Sequence, residues 1–148
     1  MTDTTPVRVG RVGIGSLVFA IAGLLISVYL TIEHYTTSAV LACPESATIN
    51  CQKFTTSAWS HVGAVPVAVL GMAYFAAMTA LCAPMAWRRT GLDRLRVGAA
   101  FVGVLTELYL GWVELFRINA ICLWCTAVHL CAIGLLTVVL WTTSTQRT

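Results

Sequence analysis

Charge is what this chain has least of. Lysine and arginine together number nine and aspartate and glutamate six, so charged residues make up 10% of 148, and the mean hydropathy is +0.83. Soluble domains carry about 25% charged residues, which excludes a water-soluble globule and leaves a membrane protein. A net charge of +3 is too small for a basic nucleic-acid surface. No motif for haem, flavin or nicotinamide is present. No small-residue cleavage site follows the first apolar run, so that run is expected to be a retained helix and not a secretory signal. The length leaves no room for a separate soluble module, and residues 1–148 are read as a single transmembrane domain.

Four apolar runs are present, over 12–32, 65–84, 97–116 and 121–141. Each approaches the roughly 20 helical residues needed to cross a hydrocarbon core of about 30 Å. The expected fold is therefore all-α integral membrane, a four-transmembrane-helix bundle. The basic residues divide unevenly between its two ends: Arg8, Arg11, Arg88, Arg89, Arg94, Arg96 and Arg147 on one side, Lys53 and Arg117 on the other. By the positive-inside rule both termini are cytoplasmic, and the loop over 33–64 faces the exterior, a periplasm or its equivalent. Within that loop, 55–62 is amphipathic enough for a short interfacial helix.

Six cysteines remain to be sorted. Cys43 and Cys51 lie in the exterior loop, and Cys122 and Cys125 open the fourth helix at the same membrane face, where disulfides persist. Cys82 falls about 25 Å along the second helix from Val65, near the other side. Cys131 is half a turn out of phase with Cys122, and both it and Cys82 read as small buried residues. On a helix, Cys122, Cys125 and His129 share one face. A thiol at a helix start meets the positive end of the dipole, which suits the thiolate needed for disulfide exchange. Two pairs on one oxidising face make an electron relay possible. The rivals are a four-thiolate zinc site, for which the Cys43–Cys51 spacing is long, and a purely structural pair of disulfides in a non-enzymatic tetraspan. A lipid-soluble quinone is the acceptor that could reach Cys125 from the bilayer, with His129 placed to hydrogen-bond a quinone carbonyl and supply a proton. Glu107 and Glu114 share a face of the third helix, and an ionisable residue at that depth is either functional or a hydrogen-bonded carboxyl facing the interior.

Ser27-Val28-Tyr29-Leu30, the Cys43 and Cys51 loop pair, Ser57 with Trp59 beyond it, Gly71, Tyr109 with Trp112, and Cys122-Leu123-Trp124-Cys125 together resemble the vitamin K epoxide reductase family. The resemblance covers almost the whole chain. It implies a four-helix bundle around a quinone site, capped by the exterior loop and its surface helix. It further implies that Cys43 forms a mixed disulfide with a thioredoxin-like partner, that Cys51 exchanges with Cys122, and that Cys125 delivers electrons to the quinone, with no metal involved. Ser57 would hold the loop over the pocket or contact the substrate. Bacterial relatives oxidise a periplasmic disulfide-forming protein and reduce ubiquinone or menaquinone, whereas animal relatives reduce vitamin K or its epoxide. This chain has His129 where the animal enzymes have a tyrosine, and Val67 where they have an asparagine. Both departures favour quinone reduction over epoxide reduction. No fused thioredoxin-like domain is expected, so the partner would be a separate protein. The absence of a C-terminal dilysine signal favours a bacterial plasma membrane.

Overall fold

The computed structural model describes residues 11–36, 43, 46, 48–89 and 91–145, with the backbone alone at 11 and 12. Arg8 and Arg147 of the expected inner face lie outside them. Helix α1 spans Arg11–Tyr35, α2 Cys51–Thr55, α3 Val67–Leu81, α4 Leu92–Val113 and α5 Leu123–Thr145. A two-residue hairpin, β1 His61–Val62 against β2 Val65–Pro66, leads into α3.

Helix α1 is the centre of the packing and lies mainly against α3 and α5. The reason is legible in its buried stripe, where Gly13, Ser16, Ala20, Gly23, Ser27 and Leu30 alternate at spacings of three and four. Mostly small residues in that pattern let helices approach closely without a large apolar driving force. Hydroxyls on α1 bond back into the helix, that of Ser16 donating to the Gly13 carbonyl at 2.9 Å and that of Thr31, beside the stripe, to the Ser27 carbonyl at 2.7 Å. Lipid offers such groups no partner, so this back-bonding is what makes serine and threonine tolerable here. The outward positions Ile14, Val18, Ile21 and Leu25 are exposed and apolar, as are Val102, Leu105 and Leu108 of α4. A bundle apolar on the outside as well as within is a bundle in lipid.

Among the described residues, three helices are long and apolar enough to cross a membrane, whereas α3 is a shorter apolar helix of 15 residues, about 22 Å long. The helices differ in extent from the apolar runs, and each difference has a local cause. Helix α4 begins at Leu92, ahead of the apolar run, because Arg96 is held within the bundle by two of its three guanidinium nitrogens. Its Nε donates to the Leu81 carbonyl at 2.9 Å and its Nη1 to Asp93 at 2.7 Å, and its guanidinium lies 3.7 Å from the Trp87 ring centre. The Trp87 indole donates in turn to the Cys82 carbonyl, closing the end of α3. Helix α3 starts two residues late, since Val65 and Pro66 belong to the hairpin. The surface helix expected over 55–62 lies earlier, as α2, and is followed by a single 3₁₀ turn, Ala58–Ser60. Ser57 ends the helical run by donating its hydroxyl to the Phe54 carbonyl at 2.8 Å, a local bond that competes with helix continuation.

Candidate redox site

The loop between α1 and α2 reaches the bundle through a short parallel pairing. The Ile121 N–H donates to the Thr48 carbonyl at 2.9 Å, and the Asn50 N–H to the Ile121 carbonyl at 3.1 Å. The Ser46 hydroxyl accepts from Ile49 N at 3.0 Å and rounds the loop into this register. Asn50 then caps α2, its side-chain oxygen accepting from Lys53 N at 2.9 Å. One residue past Asn50 comes Cys51, 1% exposed, and one past Ile121 comes Cys122, 0% exposed. The same backbone pairing therefore delivers both cysteines to one buried place. Cys51 is bonded to the half-buried Cys43, with their Cα atoms 6.3 Å apart.

From the other side the chain arrives through a π-helical turn, Glu114–Ile118, that ends α4. Asn119 adopts the left-handed conformation (φ 51°), which asparagine tolerates, and reverses the chain into Ala120 and Ile121. Cys122 proves to be the cap of α5 and not a member of its first turn. Its sulfur accepts the Cys125 N–H at 3.2 Å and its carbonyl accepts the Thr126 N–H at 2.9 Å. One free N–H of the helix start, that of Cys125, thus points at that sulfur, a setting that stabilises negative charge there. Cys122 and Cys125 form the second disulfide, with Cα atoms 5.2 Å apart.

Beneath the two pairs lies a cavity of about 350 Å³ between α1, α3, α4 and α5, roofed by the loop through Phe54 and Ser60. Cys125 and His129 are on its wall, but Cys122 is not. His129 Nε2 and Glu107 Oε2 face one another at 3.0 Å. A glutamate and a histidine at that depth are expected to pair, and this is the signal that treating them singly misses. Tyr74 contributes a buried hydroxyl with no hydrogen-bond partner among the described residues. Ser57 stands behind the wall with its hydroxyl on the Phe54 carbonyl and its own carbonyl accepting from Ser60 at 2.7 Å, while Ser60 itself reaches the cavity. Arg117 lies over Trp59 of the cap and Trp112 of α4, 5.4 and 5.8 Å from the ring centres, and ties the roof to the bundle.

The remaining cysteines, Cys82 and Cys131, are buried and unbonded to one another. Neither lines the cavity. Cys131→Ala is expected to leave thiol oxidation at the wild-type rate and to lower stability by no more than about 1 kcal/mol. A dead Cys131→Ala protein in a thiol-oxidation assay would contradict this division of the cysteines.

Residues 15–140 match the model of the vitamin K epoxide reductase family, a span that takes in α3, α4, most of α1 and α5, and both cysteine pairs. The chain belongs to that family. No curated protein is similar enough to match it. Membership makes this vitamin K epoxide reductase family protein a membrane thiol oxidoreductase, and its paired cysteines fit that redox activity.

Proposed function

We propose that the protein passes electron pairs from external thiols through Cys43 and Cys51, then through Cys122 and Cys125, to a quinone held in the cavity, and so drives disulfide formation outside the membrane. The observation that carries this reading is the division of labour within the helix pair. Cys125 borders an apolar cavity, while Cys122 sits behind it beside the segment that bears Cys51. In each exchange a thiolate attacks a disulfide sulfur, one S–S bond forms as another breaks, and the displaced sulfur carries the electron pair onward. Cys43 is the more accessible sulfur of the loop pair and so the natural point of attack for a separate thioredoxin-like protein of the periplasm.

At the far end of the relay, two electrons and two protons convert a quinone to a quinol. His129, supported by Glu107, is the group that hydrogen-bonds one carbonyl and supplies a proton there, and the unpartnered Tyr74 hydroxyl offers a second donor. Ser57 holds the turn that roofs the site. Val67 on the wall is apolar, which suits a quinone better than an epoxide that needs a polar contact from that position. In the membrane, α3 with its flanking residues serves as the fourth span. The arginines around the α3–α4 connection mark the cytoplasmic end of the bundle, and the cysteines face outward from a bacterial plasma membrane.

The test is anaerobic. Purified protein is mixed with a reduced thioredoxin-like protein and either ubiquinone or menaquinone, and quinone absorbance is followed. One quinone should be reduced as the partner becomes oxidised. His129→Ala should slow quinone reduction by about 10²-fold while exchange between the two cysteine pairs persists. If neither quinone is consumed while the partner stays reduced, the proposal fails.

A further inference from the structure

Glu114 has no part in the exchange as described, yet it lies against the reacting sulfurs. It opens the π-helical turn at the end of α4 and is 3% exposed. A carboxylate oxygen of Glu114 and the sulfurs of Cys122 and Cys125 all lie within 4.8 Å of one another. The carboxyl faces the Cys122 backbone N–H, and among the described residues its Oε1 has no partner. A purely structural glutamate would account for the first contact, as a brace for the start of α5. It would not account for an unpartnered oxygen buried at a disulfide, since buried polar atoms are nearly always paired.

The chemistry of the pair supplies a reason. When the Cys51 thiolate attacks the Cys122 sulfur, a Cys51–Cys122 bond forms, the Cys122–Cys125 bond breaks, and the electron pair leaves on the Cys125 sulfur. That sulfur belongs to a residue only 8% exposed, so bulk water is poorly placed to protonate it. An uncompensated anion in such surroundings is costly. We infer that Glu114 is the acid–base group of the Cys122–Cys125 pair: its carboxylic acid gives a proton to the Cys125 sulfur as the disulfide opens. In the reverse step, the Glu114 carboxylate takes that proton back as Cys125 displaces Cys51 from Cys122. Atoms and electrons balance within the exchange, and no external oxidant enters.

The inference rests on the proposed relay only for the identity of the attacking thiol, and its test needs no quinone. Oxidised protein in detergent is treated with dithiothreitol, which reduces the accessible loop pair. Opening of the Cys122–Cys125 bond is then followed by acid quench and maleimide mass-tagging over a series of pH values. In E114Q the amide oxygen can still accept the Cys122 N–H, so the brace survives while the proton is lost. E114Q should keep the wild-type melting temperature and open about 10²-fold more slowly or worse. Its pH–rate profile should also lose the falling limb that reports the carboxylic acid. The other ionisable groups around the site are Glu107 on α4, His129 on α5 and, once reduced, the cysteines themselves, and these remain in E114Q. Opening of E114Q at the wild-type rate with an unchanged profile would overturn the inference. If E114Q does not fold, E114D carries the test, since it keeps the acid but withdraws it by one carbon. Slower opening with the limb retained supports the role, and wild-type opening overturns it. A wild-type protein that opens its disulfide normally but reduces no quinone would overturn the relay's last step and leave Glu114 standing.

Discussion

Cys125→Ser is expected to abolish quinone-coupled thiol oxidation while leaving the bundle folded. Among the described residues, Cys125 is the cysteine on the cavity wall, so its sulfur is the one placed to meet an acceptor there. Serine keeps the size of the side chain and cannot form the disulfide. Loss of a crosslink closing so short a loop removes only about 2 kcal/mol by the chain-entropy estimate, too little to unfold a helix packed along its whole length. Cys122→Ser should be equally inactive, but the two variants differ in what they accumulate. Without Cys125, the Cys122 thiolate can attack Cys51 of the Cys43–Cys51 disulfide and release the Cys43 thiolate, and with only Cys43 left to reverse the step a Cys51–Cys122 disulfide should build up. Without Cys122 that bond is impossible. Non-reducing proteolysis with mass spectrometry distinguishes the two, alongside the activity assay. Full thiol oxidation by either variant would refute the relay.

The second large effect is on stability. A Cβ at Gly23 would fall within the ring of Phe75, which is 0% exposed and stands edge-on to Tyr74 with ring centres 5.0 Å apart. The ring therefore has nowhere to go, and α1 and α3 would have to separate. Gly23→Ala should destabilise the protein by about 1–3 kcal/mol, the usual range for overpacking a filled core, and Gly23→Leu should prevent folding. Gly98 on α4 is the matched control, because a Cβ there meets nothing within 4 Å. Gly98→Ala should stabilise by up to about 1 kcal/mol through helix propensity alone. Thermal melting of the three variants in one detergent decides the matter. Equal melting temperatures for Gly23→Ala and wild type would mean that the α1–α3 contact is looser than described here.

The two outcomes also mark what was readable beforehand. The stripe that buries Gly23 is periodic and could be anticipated as a packing face, but the ring opposite it could not, because Phe75 comes from a helix whose rotation depends on all its neighbours. The apolar run over 97–116 falls short of the start of α4 for a related reason. Asp93 and Arg96 look like loop residues until the Leu81 carbonyl and the Trp87 ring are brought to them. The family resemblance points to Ser57 as a site residue, whereas the structure puts its hydroxyl on a backbone carbonyl and gives the neighbouring cavity position to Ser60. Glu107 and His129 were each legible as deep ionisable residues. Their pairing needed two helices at a set distance.

From its residues alone, then, this chain determined its solvent, its helices and the gathering of two cysteine pairs at one end of the bundle. Those follow from charge scarcity, run length and spacing, which are local quantities. The tertiary structure decided that Cys125 and not Cys122 borders the cavity, that Cys51 and Cys122 share one backbone pairing, and that Glu114 abuts both helix sulfurs. Each of these depends on a turn that reverses the chain, at Asn119 or at the Ser46 loop, and on helices settling against one another. No periodicity within a single segment encodes where another segment will lie.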